Sequence, residues 1–477
     1  MGTKSISSSF LGQLFSFSLG PVFGAVFSFC ASIIITWLFI PDDVGKVSMF
    51  TTVLTLLSLF TNLGLDRAYM REFSATNRRE ELLFTCLSMS LLSSLTIVFL
   101  IILLKNDVAY FLFDNNDIIS VLLLAIILPV NVFGDYGVNL CRLKVDTKKY
   151  TTVVLTEKVS YLLFIFLFFY FWVDYRAIVV ARCSSILCKA SFAFLLERRS
   201  FKIFSHYDHA MVKRVLLYGV PYMPALIFSW VLHSMDKFAL RIWSSYEEIG
   251  YYATAFSIVS MLAILQTAFS SFWTPLAYKW YEEGKSVLYF EKVGQILMSI
   301  LMLCSGIVIL LRDVVLLVYS PDFSIASTMI PFLLLLVSME TMSYVVGCGI
   351  NLKRKTVYNT VASFAACIVN LLGNYLLVPM YGGLGASFST GLSCIVFMLV
   401  KMFVSRYIWY KFPCSYIIIN VLLILLLDSV AVLANNFFIE VLIFTLLIAY
   451  NYKAYAMLRK YLSSFVSQTL NNFRIRL

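Results

Sequence analysis

Charge is what this chain has least of. Only 13% of its 477 residues are Asp, Glu, Lys or Arg, whereas 61% are hydrophobic and the mean hydropathy is +0.87. Soluble domains carry about a quarter charged residues, so a soluble fold is excluded and most of the chain must be solvated by lipid. Soluble-enzyme signatures are missing as well. There is no Walker loop and no H-E-x-x-H, and Gly382-Gly383-Leu384-Gly385 lacks the strand and helix context of a dinucleotide turn. The ten cysteines include no C-x-x-C pair, which gives neither a disulfide framework nor a metal site, and no cofactor is implied. Histidines number three; His206 and His209 fall in a polar loop and read as solvated, while His233 falls inside an apolar run. No cleavable signal is evident, because the first apolar stretch, 11–40, is about twice the length of a signal core.

What the chain does have is apolar runs of about 20 residues from end to end. They predict an all-α polytopic membrane protein of about fourteen helices, roughly 11–40, 46–66, 82–104, 118–140, 151–173, 177–196, 215–240, 250–275, 290–311, 325–350, 357–379, 384–409, 415–434 and 437–455. Twelve spans plus a terminal hairpin is the safer form, since Asn435-Asn436 alone separates the last two. At about 34 residues per span only short loops remain, which leaves no room for a sizeable soluble catalytic domain. The net charge of +11 therefore belongs to loops that meet anionic head groups, and it does not point to nucleic acid.

Orientation follows from the basic residues. With the N-terminus inside, 28 Lys and Arg fall in inner loops and tails, Lys401, Arg406 and Lys411 among them. Five fall outside (Lys46, Lys105, Arg176, Arg241, Arg312) and four within spans, so both termini are expected in the cytoplasm. An internal repeat appears at an offset of about 200 to 212 residues. Gly20-Pro21 answers Gly219-Val220-Pro221, Asp42-Asp43-Val44-Gly45 answers Glu247-Glu248-Ile249-Gly250, and Gly137-Val138-Asn139-Leu140 answers Gly349-Ile350-Asn351-Leu352. Six spans per repeat imply two parallel six-helix lobes, 1–205 and 206–412, related about the membrane normal with a cleft between them, and a hairpin with its tail at 413–477.

The four basic residues within spans are Lys158, Arg182, Lys189 and Lys237. Each costs about 2.5 to 3.5 kcal/mol at a helix centre, so each should face water, a partner or a ligand. Arg182, Ser185 and Lys189 share one face of their helix at i, i+3 and i+7, with few carboxylates available to match them. Pairing with acids or snorkelling is the plain reading; a cationic cavity for an anionic substrate is the sharper one. The seventh span carries Trp230, His233, Ser234, Lys237 and Arg241 along one side with Asp236 nearby, either a lumen wall or local pairing. Thr51, Thr55, Ser58 and Asn62 form a hydroxyl and amide stripe on the second span, suited to water or sugar hydroxyls. Ser16, Gly20, Gly24, Ser28, Ser32 and Thr36 step by four along the first, suited to close packing or to lining a passage. Asp236, Glu340 and Asp428 are the acids within reach of ion coupling.

Two stretches carry a resemblance. One is Leu19-Gly20-Pro21 through Ile40-Pro41-Asp42-Asp43-Val44-Gly45 to Leu63-Gly64-Leu65-Asp66-Arg67 and Arg71. The other runs from Asn370-Leu371-Leu372-Gly373-Asn374 to Val378-Pro379-Met380-Tyr381-Gly382-Gly383-Leu384-Gly385-Ala386-Ser387. Together with Asp236-Lys237 and Glu248-Ile249-Gly250-Tyr251-Tyr252 between them, residues 10 to 410 resemble bacterial polysaccharide transporters of the O-antigen flippase type. Their superfamily also holds lipid II flippases and multidrug and toxin extrusion antiporters. Lys237 departs from the arginine usual beside that aspartate. The resemblance implies a flippase, not an enzyme, in the bacterial inner membrane, moving an undecaprenyl-diphosphate-linked oligosaccharide to the periplasmic leaflet by alternating access. Arg182, Lys189, Lys158 and Lys237 would attract the diphosphate, and Asp236, His233, Trp230, Thr55, Ser58 and Asn62 would line the cavity. Membrane lipids and the polymerase and chain-length regulator of the same polysaccharide would be its partners. A drug antiporter is the rival within the class. A membrane polymerase or glycosyltransferase is the rival outside it, disfavoured because the longest outer connection, Lys105 to Asp117, has about thirteen residues.

Overall fold

The computed structural model describes residues 3–201 and 208–474, and the side chains of all of these except 3–19, 21, 461–462 and 464–474. Ser16, Lys202 and His206 therefore lie outside the described side chains. Among the described residues every regular element is helical. Packing divides the chain into two units, Met1–Ser257 and Ile258–Leu477.

The first unit contains α1 (Thr3–Leu38), α2 (Pro41–Asn62), α3 (Leu65–Glu72), α4 (Arg79–Leu103), α5 (Lys105–Phe113), α6 (Ile118–Leu143), α7 (Thr147–Phe169), α8 (Tyr175–Glu197), α9 (His209–Trp243) and most of α10 (Tyr246–Ser260). Local chemistry sets these ends. Pro41 opens α2 with Asp42 and Asp43 in its first turn, where the helix dipole favours negative charge, and Leu63 and Gly64 close it with φ of 49° and 69°. Asp117, Asp146, Asp174 and Asp208 each accept a backbone N–H at the start of α6, α7, α8 and α9. The helices α6, α7 and α8 pack together, all three clamped at one end and α6 and α8 at the other. At one end Glu197, 3% exposed, receives Lys144 and Lys149, the latter at 2.8 Å. At the other, Asp117 receives Ser120 Oγ (2.8 Å), Tyr175 Oη (2.9 Å) and Arg176 Nε (3.0 Å). The sequence reading left Lys144, Lys149 and Arg176 as plain loop charges. Gly20 and Gly24 of the small-residue ladder face α7, opposite Thr151, Val154 and Lys158, as close packing requires.

On its other side the unit packs α2 against α9 and α10 by backbone. A methyl group built on Gly64 would lie 2.4 Å from the Gly219 carbonyl oxygen, one on Gly45 1.9 Å from that of Tyr246, and one on Gly250 2.1 Å from that of Pro41. Only glycine admits these approaches. The turns 42–45 and 247–250, matched in the repeat, are thus packed on each other.

The second unit contains the end of α10, α11 (Ala263–Glu282), α12 (Val287–Leu310), α13 (Arg312–Leu316), a 3-10 segment Pro321–Thr328, α14 (Ile330–Val346), α15 (Cys348–Leu352), α16 (Val357–Ile408), α17 (Ser415–Leu433) and α18 (Phe437–Arg474). Its centre is α14, buried along almost its whole length by α11, α12, α16 and α17. The last two helices are fastened to α13 by polar groups. Arg312 and Glu440, 6% and 1% exposed, form a two-point ion pair, and Arg312 also reaches Asn435 (2.8 Å). Arg312 was read as an outer-loop charge; its counter-charge lies 128 residues onward, beyond any local pattern. Farther along, Tyr416, Asn420 and Asn451 are linked by hydrogen bonds.

Among the described residues, nine helices are long and apolar enough to cross a membrane, or twelve if three bent pairs each make one span. The eighth expected span is the pair α10 and α11, bent by 42°, and the tenth is the 3-10 segment with α14, bent by 55°. The eleventh and twelfth are the two halves of α16, which folds back on itself at Gly382 (φ 53°, ψ −131°), so that Asn370 donates to Thr390 Oγ1 at 3.3 Å and Gly373 packs on Ser389. Two short helices, α3 and α5, replace what hydropathy reads as loop.

Candidate functional site

The charged residues expected within the spans that form α6, α7 and α8 come together. Lys189 of α8, 7% exposed, donates to Asp135 Oδ1 and to Asn131 Oδ1 of α6, both at 2.9 Å, and lies 3.8 Å from Glu157 Oε2 of α7. Arg182, one face along α8 from Lys189, pairs with Glu157 Oε1 at 2.9 Å. The Asn131 amide donates in turn to Asp135 Oδ2 and to Ser58 Oγ of α2, both at 3.2 Å. A continuous polar chain, Ser58–Asn131–Lys189–Asp135 with Glu157 and Arg182, thus crosses four helices. A methyl built on Gly134 would lie 2.6 Å from Lys189 Cε, so a glycine is what lets the lysine lie across α6.

Sequence reading put Arg182 and Lys189 on one face, and the structure does the same. Pairing with acids, the plain reading, is what both residues show, while the link through Asn131 to Ser58 had no signal in the spacing. Lys158 is left over. Its stem lies against Gly24, and among the described residues no ion pair or hydrogen bond reaches its ammonium, so the cluster holds three cations against two carboxylates. Asp135, 36% exposed, is its open edge.

The residues expected to line a cavity divide. Trp230 Nε1 of α9 donates to Thr55 Oγ1 of α2 at 3.1 Å, so these two close one seam, one turn from Ser58. Asn62 Oδ1 is buried without a hydrogen-bond partner, and His233 is half-buried on α9. Asp236 is buried and accepts Tyr252 Oη at 2.6 Å, while Lys237 faces the Phe256 ring at 6.0 Å. In the second unit Glu340 accepts Gln266 Nε2 at 3.2 Å, and both oxygens of Asp428 are buried without a hydrogen bond.

A second buried cation, after Arg312, escaped the sequence reading. Lys401, counted as an inner-loop charge, lies on α16 and is 9% exposed. Its ammonium donates to Ser343 Oγ (3.2 Å) and stands 4.8 Å and 5.8 Å from the Phe397 and Tyr344 ring centres.

Helices of membrane-spanning length that bury charges against one another define a polytopic membrane protein, in which such charges mark candidate functional positions. The family described as polysaccharide biosynthesis protein matches residues 10–278, more than half of the chain, and the chain belongs to it. No curated protein matches the sequence. Among solved structures, "Lipid II flippase MurJ, inward closed conformation" matches with a TM-score of 0.70 at 14% identity, over 94% of this chain and 99% of that one. An inward-facing multidrug resistance MATE family transporter of the MOP superfamily matches at 0.62 and 16% identity, over 80% and 94%. MATE in its bent conformation matches at 0.54 and 16% identity, over 83% and 94%. At these identities the likeness shows the fold, which this chain shares with those transporters, and its many apolar helices make it a multi-pass membrane protein of the polysaccharide biosynthesis family.

Proposed function

We propose that the protein moves an undecaprenyl-diphosphate-linked oligosaccharide, an O-antigen or related surface-polysaccharide repeat unit, from the cytoplasmic to the periplasmic leaflet of the bacterial inner membrane by alternating access of two six-helix lobes. The observation that carries this reading is the polar chain around Lys189, with its surplus cation Lys158, inside a member of the polysaccharide biosynthesis family. A diphosphate and a chain of sugar hydroxyls cannot cross hydrocarbon without such groups. Asp135 and Glu157 occupy Lys189 and Arg182 as phosphate oxygens would, so the head group enters by exchanging with these carboxylates, with Lys158 supplying the charge they leave unmatched. Lys237 adds a cation from α9, and Thr55, Ser58 and Asn62 offer hydrogen bonds to sugars. The polyprenyl tail stays in lipid. Asp236, Glu340 and Asp428 are the groups for ion coupling, and the polymerase and chain-length regulator are the partners that receive the product.

The test is a deletion strain. It should accumulate lipid-linked oligosaccharide on the inner leaflet and lose surface glycan, and Lys158→Ala should restore protein level without restoring display. Full display from Lys158→Ala at normal protein level would remove Lys158 from the site, and no lipid-linked glycan in the deletion strain would favour antiport of another cargo.

A further inference from the structure

The 212-residue step that carries Gly137 to Gly349 carries Lys189 to Lys401, and it carries Asn131, which binds Lys189, to Ser343, which binds Lys401. It carries Ala193, against Gly137, to Ser405, against Gly349. The same lysine therefore stands at the same register in each unit, bound to the corresponding helix. Its counter-charges do not follow. The step takes Asp135 to Gly347, and residues 356–400, which take in the whole of α16 before Lys401, contain no Asp, Glu, Lys or Arg.

Gly347 is occupied by the lysine itself: a methyl built there would lie 2.7 Å from Lys401 Cε. The nearby carboxylate, Glu340, is bound by Gln266, and among the described residues no carboxylate comes within ion-pairing distance of Lys401. An ammonium has three N–H donors, and here one meets a hydroxyl while the Phe397 and Tyr344 rings stand 4.8 Å and 5.8 Å away. A buried cation with no carboxylate at ion-pairing distance is a candidate ligand site in a membrane protein. Tyr344, 38% exposed, is the open flank beside it.

We infer that Lys401, with Ser343 and Tyr344, is a binding site for a phosphate-type oxyanion in the second unit, in which the ligand supplies the negative charge that Asp135 supplies to Lys189. Assigning that oxyanion to the diphosphate of the cargo rests on the proposed function; the site itself does not.

The experiment is binding to the purified full-length protein, using geranylgeranyl diphosphate, inorganic pyrophosphate, phosphatidylglycerol and, as a neutral control, geranylgeraniol. Loss of one charge-assisted contact corresponds to about tenfold in affinity. Lys401→Gln should weaken both diphosphates by about that factor, Lys401→Arg should keep them within about threefold, and neither should alter geranylgeraniol. Thermal melting of each variant checks the fold, and Lys401→Gln strands no acid, so it should melt no lower than the parent. Unchanged affinity of Lys401→Gln for all three oxyanions, or no oxyanion binding by the parent, overturns the site. Dependence on Lys401 for pyrophosphate, with no binding of the lipid diphosphate, supports the site and defeats the polyprenyl-diphosphate reading. Dependence seen with phosphatidylglycerol alone supports the site and assigns it to bilayer lipid.

Discussion

Lys189 and Lys401 show how one repeated framework can hold the same side chain in two electrostatic conditions. In the first unit the lysine is enclosed by Asn131, Asp135 and Glu157; in the second it meets Ser343 and two aromatic faces. The helix-to-helix contact is the same, so burial alone does not tell a structural charge from a functional one. What separates them is the partner that a neighbouring position supplies, Asp135 in one case and Gly347 in the other. A paired charge is destabilising to break, whereas a solitary one is destabilising to keep.

The largest effect expected from that difference is on stability. Lys189→Met leaves Asp135 and Glu157 facing each other without their shared cation and should cost about 3 kcal/mol, whereas Lys401→Met removes an unmatched charge and should be neutral or stabilising by about 1 kcal/mol. Thermal melting of the two purified variants decides it, and a melting point that falls equally in both would erase the distinction. An intermediate effect is expected at Gly347. Gly347→Ala forces the Lys401 stem aside and should cost about 1 to 3 kcal/mol, and the cost should shrink when Lys401 is also alanine. Additive losses in that double-mutant cycle would mean that the glycine serves some other contact.

The smallest effect is a pH dependence confined to the first unit. Burial works against the charge of Asp117, but hydrogen bonds from Ser120, Tyr175 and Arg176 outweigh it and hold its carboxyl below the usual carboxylate range. Its contribution is therefore fully present above the unfolded value of about 4 and is lost as pH falls through the lowered one. Asp117→Asn should flatten the acid limb of a melting-temperature profile, by about 1 kcal/mol at most. An acid limb identical to the parent's would show that the clamp at that end of α8 is not coupled to folding.

The helices were legible because apolar runs of this length have few other readings, and Arg182 and Lys189 declared their shared face by spacing alone. The partners were not legible. Asn131, Asp135 and Glu157 converge on Lys189 only once α6, α7 and α8 are packed, and nothing local brings Glu440 to Arg312. Lys401 failed for another reason. Close to the end of an apolar run and followed by Arg406 and Lys411, it looks like one of a cluster of loop charges, yet α16 continues to Ile408 and draws it inside. The signal was present in the repeat, which places Lys401 on Lys189 by the step already fixed by Gly137 and Gly349.

The glycine contacts that join the turn at 41–45 to the turn at 246–250 also bear on how the chain is made. At a synthesis rate of about 5 to 20 residues per second, the roughly 200 residues between them take about 10 to 40 seconds to emerge. Throughout that interval the bare backbone at Pro41 and Gly45, with Gly64 at the far end of α2, waits in the bilayer for a mate that does not yet exist. The nascent protein thus depends on insertion machinery or lipid to keep that surface unoccupied, and a ribosomal stall before Tyr246 would strand α2 with its sticky face open.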